Sequence, residues 1–273
     1  MPAPLLLLAA AAARTERIRL GTTSYLLPVR HPLHAAAEVA VLDHLCRGRL
    51  ILGLGRGVDP SLFAAFEVPV SEKRARFESA LEQMRRAWRG EAVARLAPAP
   101  GAGIGAAVRL SPLPLQQPHP PLWVAAFGPK AIEQAGRLGL PYLASPLEPL
   151  ALLESNLARH TEAAERAGHA RSAVVPVMRA VFTSRSAARL AAVAEQLARV
   201  AERAARSGRG GARPAAALED WALVGEPEAL RERVARYRER LGMTHLIASA
   251  YWAELEPGER EASLEAFAEL ASC

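Results

Sequence analysis

Two arginines and a run of glycines carry most of the chemistry this sequence can offer. In Gly53-Leu54-Gly55-Arg56-Gly57 three glycines alternate around a single cation. Glycine lets a backbone turn sharply and lets a ligand approach closely. A guanidinium presents planar, paired donors that match phosphate oxygens. Arg74, in Glu72-Lys73-Arg74-Ala75-Arg76, is a second cation of the same kind; read alone it is equally a surface arginine. No Lys-Ser or Lys-Thr follows the glycines, which excludes a P-loop, and the G-x-G-x-G spacing is not the G-x-G-x-x-G of a dinucleotide fingerprint. Two readings remain from the residues themselves. Arg56 is either part of an anion site at the carboxyl end of a strand or a solvated residue on a tight turn.

A second candidate is Phe127-Gly128-Pro129-Lys130, which follows an apolar run and opens a helix. Free amides at a helix N-terminus bind phosphate, and Lys130 adds charge; the alternative is a plain helix cap. Thr22-Thr23-Ser24 ends a strand. His31, before Pro32, reads as a turn residue capping the next helix. His119 lies in a proline loop and His245 inside a strand, where each reads as structural. None is assigned as a general base, so the catalytic residue stays unknown. Cys46 and Cys273 give neither a disulfide framework nor metal-ligand spacing, and Cys46 reads as a packing residue.

The elements that must position these groups follow from pattern. The 273 residues are 51% hydrophobic, enough for a sizeable core, and carry a net charge of +6. The arginines are spread along helices beside glutamates, which predicts a solvated surface and no nucleic-acid partner; the basic balance would help draw in an anionic cofactor. The apolar start, residues 1–13, is too short to span a membrane and lacks a preceding basic region. It predicts a buried helix in a cytoplasmic protein. Helices are predicted at 5–13, 32–45, 60–66, 72–89, 130–138, 149–167, 187–206, 226–241 and 257–270. Six strands are predicted at 17–24, 49–55, 122–126, 141–144, 174–182 and 243–250. Residues 91–121 have no period, 208–215 read as a flexible break, and 217–224 are ambiguous. Strands alternating with helices imply a parallel α/β sheet.

Several segments, taken in order, resemble the bacterial luciferase-like family of flavin-dependent monooxygenases. They are Arg14 to Thr22, Leu27-Pro28-Val29-Arg30-His31-Pro32, Ala40-Val41-Leu42-Asp43, the glycine run, Pro114-Leu115-Gln116-Gln117-Pro118-His119-Pro120-Pro121, Val224-Gly225-Glu226-Pro227-Glu228 and Gly242-Met243-Thr244-His245-Leu246. The resemblance implies one TIM-type (β/α)8 barrel domain over residues 1–273, with an irregular excursion at 91–121. The barrel would be incomplete: the sequence opens near the family's second helix, so the first two strands would be missing and about six parallel strands present. A catalytic histidine of luciferase-type enzymes lies on one of those missing strands. The implied function is a monooxygenase using O2 and reduced FMN, supplied by a separate reductase, on a small organic substrate. A deazaflavin fits the same loops, and a non-catalytic flavin-binding or scaffold protein is the alternative. By resemblance, Arg56 and Arg74 hold the flavin phosphate, with backbone amides at Phe127, Gly128 and Ala131. Thr23-Ser24 matches a non-proline cis peptide under the ring, and Gly55 faces the ring's reactive edge, where luciferase carries a cysteine. A homodimer would pair through helices 32–45 and 72–89.

Overall fold

The computed structural model describes residues 3–95, 97, 106–206, 217–250 and 254–271. Contacts gather in two compact units, Met1–Ala125 and Ala126–Cys273, and each is described by itself. Among the described residues no helix is long and apolar enough to cross a membrane.

The first unit runs α1 (Pro4–Ala12), β1 (Leu20–Gly21), β2 (Tyr25–Leu26), α2 (Pro32–Leu45), β3 (Leu50–Gly55), α3 (Pro60–Ala65), α4 (Lys73–Trp88), β4 (Ala94–Arg95), β5 (Ala107–Val108) and β6 (Leu122–Ala125). Proline opens α1, α2 and α3, where its missing N–H would have had no helical partner anyway. All six residues of β3 are buried, as its unbroken apolar run predicts. β1 and β2 pair with one edge of β3 and β6 with the other, all parallel. Arg49 anchors the start of β3: its guanidinium donates to the Ile18 carbonyl at 2.7 Å and the Thr15 carbonyl at 2.8 Å. The Trp88 indole N–H donates to the Ala36 carbonyl at 3.0 Å, tying α4 to α2.

Two expectations for this unit change. The strand expected over 17–24 is two short pieces, β1 and β2, on either side of a cis Thr23-Ser24 peptide. The excursion at 91–121 is not wholly irregular, because β4 and β5 pair antiparallel with Ala94 opposite Val108. Strands of two residues are too short to leave a readable period.

The second unit runs α5 (Pro129–Arg137), β7 (Tyr142–Leu143), α6 (Leu150–Arg166), β8 (Pro176–Thr183), α7 (Ala187–Arg206), β9 (Ala222–Gly225), α8 (Pro227–Leu241), β10 (His245–Ser249) and α9 (Pro257–Ala271). β8 lies between β10 and β9, all parallel, and Ala144 bridges to Val177. A Cβ on Gly136 would sit 2.3 Å from the His160 carbonyl oxygen, so only glycine lets α5 and α6 approach this closely. Phe182, Val193, Leu197, Trp221 and Leu255 form an apolar core on one side of β8. The ambiguous stretch at 217–224 is a turn of 3-10 helix followed by β9, a strand additional to the six expected. Its eight residues are mostly apolar and too few for either period to decide. The expected break at 208–215 and Cys273 lie outside the described residues.

Candidate functional site

The first sheet has two chemically different faces, and Tyr25 identifies them. Its hydroxyl donates to Glu38 on α2 at 2.9 Å, so Tyr25 faces the helices. Side chains alternate along a strand and registered partners share a face. The register therefore puts Leu20, Leu50, Leu52, Leu54, Leu122 and Val124 on the helix side. The opposite face carries Gly21, Ser24, Leu26, Ile51, Gly53, Gly55, Trp123 and Ala125. It combines glycine, serine and alanine with the larger Ile51, Leu26 and Trp123.

Ser24 and Gly55 meet on that face. A Cβ on Gly55 would lie 2.1 Å from the Ser24 hydroxyl oxygen and 2.9 Å from Leu26 Cδ2. The volume of a side chain at 55 is thus already filled by Ser24. Thr22, buried just before the cis peptide, donates its hydroxyl to the Gly53 carbonyl at 2.7 Å, while Thr23 is exposed.

Arg56 leaves β3 at its carboxyl end, half-buried. Burial lowers its pKa, the nearby charge of Arg74 lowers it further, and Glu78 opposes both. Arg74 is exposed in the first turn of α4, a turn with no acidic residue. Two cations held close at the positive end of a helix raise the local potential, and an anion there would relieve the repulsion. Gly57 has φ 78° and abuts the Phe63 ring, which would lie 2.9 Å from a Cβ. The turn after Arg56 therefore requires glycine. The first unit thus sets Ser24 against Gly55 and Arg74 near Arg56, while Thr23 is exposed.

Phe127, Gly128 and Ala131 stand in the second unit at the start of α5. Gly128 is the N-cap, with φ 75°, and a Cβ there would meet nothing within 4 Å. Pro129 has no N–H to offer. The Ala131 N–H donates to the Gly128 carbonyl at 3.1 Å.

The remaining candidates are structural. His31 caps α2, accepting from the Leu33 N–H at 3.3 Å. The ring of His119 lies 5.5 Å from that of Trp88, bonds the Pro120 carbonyl at 2.8 Å, and has its pKa lowered by burial. His245 bonds the Thr244 hydroxyl at 2.9 Å. Cys46 is buried, and burial raises its thiol pKa. Among the described residues no group of His, Cys, Asp or Glu could hold a metal ion.

Sequence reasoning missed a buried polar cluster in the second unit. Glu148 accepts from the Tyr142 hydroxyl at 2.6 Å, the Ser145 N–H at 2.7 Å and the Asn156 amide at 2.8 Å. Arg179, fully buried, donates to the Ser145 and Glu148 carbonyls at 3.0 and 2.9 Å and to the Tyr237 hydroxyl at 2.9 Å. Burial pushes the Glu148 carboxyl up to about 7, against its hydrogen bonds and the Arg179 charge. The one available signal was an arginine inside an otherwise apolar strand.

The chain matches the sequence model of a family described as luciferase-like monooxygenase over residues 1–245. It is 31% identical over 150 residues to the oxygenase component of the flavin-dependent trigonelline monooxygenase of Acinetobacter baylyi, a match covering 54% of this chain and 40% of that protein. The monooxygenase RslO1 from Streptomyces bottropensis is similar in fold, with a TM-score of 0.80 and 30% identity over 98% of this chain and 82% of that one. The oxygenating constituent of 3,6-diketocamphane monooxygenase from Pseudomonas putida, solved with FMN, shares the fold at a TM-score of 0.77 and 22% identity, covering 97% and 82%. The chain spans about half the length of the curated relatives it matches.

Proposed function

The chain belongs to the luciferase-like monooxygenases, and from that premise we propose that it is a flavin-dependent oxygenase acting on a small organic substrate with reduced FMN and O2. The observation that carries this is the closeness of Arg56 and Arg74 at the carboxyl end of β3, beside a sheet face that holds Gly53, Gly55, Ser24 and Ala125 together with Ile51, Leu26 and Trp123. Ligands of α/β barrels bind at that end of the strands. Bound reduced flavin would supply the oxygen chemistry. Arg56 and Arg74 bind the phosphate in this reading, the Gly53 and Gly55 surface admits the ring, and Leu26 and Trp123 exclude water around it. Phe127, Gly128 and Ala131 stay in the proposal as phosphate-contacting amides, on the resemblance alone. The relative named as an oxygenase component supports a separate flavin reductase as partner. A single barrel domain and a cytoplasmic location belong to the same proposal.

A homodimer does too, through α2 as expected but with α1 in place of the helix expected at 72–89. Leu6 and Leu7 on α1 are 73% and 64% exposed, and Val41 and Leu45 on α2 are 45% and 56% exposed. These two helices line a groove of ≈ 460 Å³. Among the described residues α4 exposes no large apolar side chain, so α1 replaces it in the proposed interface.

The test is a titration of FMN and riboflavin against the parent and Arg56→Ala, read by flavin fluorescence. Charge-assisted bonds contribute about 1.5–3 kcal/mol each, so the substitution should weaken FMN at least tenfold and spare riboflavin. Equal loss of both ligands would make Arg56 a structural residue. No binding of either by the parent would overturn the flavin reading.

A further inference from the structure

β1 and β3 start side by side, with Leu20 opposite Leu50. The chain before each strand, residues 14–19 and 46–49, therefore meets at the end of the sheet opposite Arg56. Arg49 locks the two segments together through the Thr15 and Ile18 carbonyls. The proline loop joins them, because a Cβ on Gly48 would stand 3.8 Å from Leu115 Cδ2. Arg14, Arg17, Arg19 and Arg47 are all exposed on these segments, against one acid, Glu16. Helix arginines elsewhere pair with glutamates, as Arg76 does with Glu72 at 2.8 Å, Arg159 with Glu133 at 3.1 Å and Arg240 with Glu154 at 2.7 Å. Among the described residues, none of the four at this end forms an ion pair. Two large apolar side chains lie with them, Ile18 at 56% and Leu115 at 50% exposure. The polar side chains nearby are turned onto the chain itself. Thr15 donates to the Ala11 carbonyl at 2.8 Å, Gln116 grips Asp43, and Gln117 donates to the Pro114 carbonyl at 2.7 Å. The surface left over is positive charge and aliphatic carbon. A protein partner is oriented by about one hydrogen bond per 100–200 Å², whereas an anionic lipid leaflet asks only for cations and aliphatic side chains. Like-charge repulsion excludes a second copy of the same face.

We propose that this amino end of the first sheet is a docking surface for an anionic phospholipid leaflet: the four arginines meet the headgroups, and Ile18 and Leu115 enter the acyl boundary between them. The chain lies on the membrane and does not span it, and the carboxyl end of β3, with Arg56, is left open to water. Attachment is weak and reversible, because each cation near such a surface raises partitioning only about fivefold and the two aliphatic anchors are shallow. Docking at this end holds whether or not flavin binds at the other.

The experiment is co-sedimentation of the full chain with two kinds of vesicle, phosphatidylcholine alone and phosphatidylcholine with about one-third phosphatidylserine. The parent should bind the second kind and not the first. Binding should fall about tenfold or more between about 0.1 M and about 1 M salt, as the Debye length shrinks from about 10 Å to about 3 Å. Arg17→Glu/Arg19→Glu should weaken binding about tenfold or more at the parent's melting temperature. If that pair melts early, Arg14→Glu/Arg47→Glu reads the same charge at other positions. Arg199→Glu/Arg203→Glu removes equal charge from α7, controls for the net charge of +6, and should stay within about twofold of the parent. Ile18→Ser/Leu115→Ser should weaken binding about threefold or more with every charge kept. A parent that does not bind the phosphatidylserine vesicles overturns the docking surface, and so do equal losses in the sheet-end and α7 pairs. Full vesicle binding by the serine pair would leave a plain polyanion patch and overturn lipid docking in favour of an acidic protein partner.

Discussion

Gln116 grips the buried Asp43 carboxylate with two donors, its backbone N–H and its side-chain amide, each at 2.7 Å. The same amide donates to the Leu50 carbonyl at 2.9 Å. One glutamine therefore ties the end of α2 to the start of β3, the strand that delivers Arg56. Asp43 is 0% exposed, so Gln116→Ala leaves its Oδ1 without this donor, while the backbone N–H of residue 116 stays on Oδ2. Gln116→Ala should cost about 2–3 kcal/mol of stability, the range for hydrogen bonds to charged groups. Urea denaturation measures it. A loss under half of that would show that water replaces the glutamine.

Arg74→Ala should have effects of opposite sign on stability and binding. In the unliganded protein Arg74 repels Arg56, and it is exposed, so its removal should stabilise by no more than about 0.5 kcal/mol. FMN affinity should fall, by less than for Arg56→Ala because Arg74 is the better solvated cation. Paired melting and FMN titration check both signs. A variant that loses stability while keeping FMN affinity would contradict the shared anion site.

Glu148 makes stability depend on pH. Its carboxyl titrates at about 7 in the folded chain, against an ordinary value of 4.5. The folded state therefore binds this proton more tightly than the unfolded state does. The resulting stability is fully present below pH 4.5 and is lost as pH rises through about 7. Glu148→Gln, in which the side-chain oxygen can still accept from Tyr142 and Ser145, should flatten that slope. Urea midpoints across this window test it, and an unchanged slope in the variant would assign the dependence to other groups.

The exposed apolar side chains of α1 and α2 predict association. Leu6→Lys combined with Val41→Lys should convert a dimer to a monomer in sedimentation at micromolar concentration, with flavin binding kept because both positions lie on helices and not on the glycine-rich face of the sheet. A parent that sediments as a monomer would refute the interface.

The sequence by itself determined the elements, because each rests on local physics. β3 was legible from an unbroken apolar run ending in alternating glycines. α2 was legible from Pro32 at its start, and its observed bounds, Pro32–Leu45, match the expected ones. Arg56 was legible as an anion candidate because strand, glycines and cation are contiguous in the chain. What tertiary structure alone decided are relationships between residues far apart in sequence. The meeting of Ser24 with Gly55 depends on parallel register, which no local pattern encodes. That register also chose which face of β3 is leucine and which is glycine. The Glu148 and Arg179 cluster was invisible because a loop glutamate and a strand arginine look solvated until packing takes water from them. The antiparallel pair β4–β5 and the added strand β9 escaped because they are shorter than the periods that reveal strands. Local propensity and pattern are written residue by residue, whereas burial and register are properties of the packed chain.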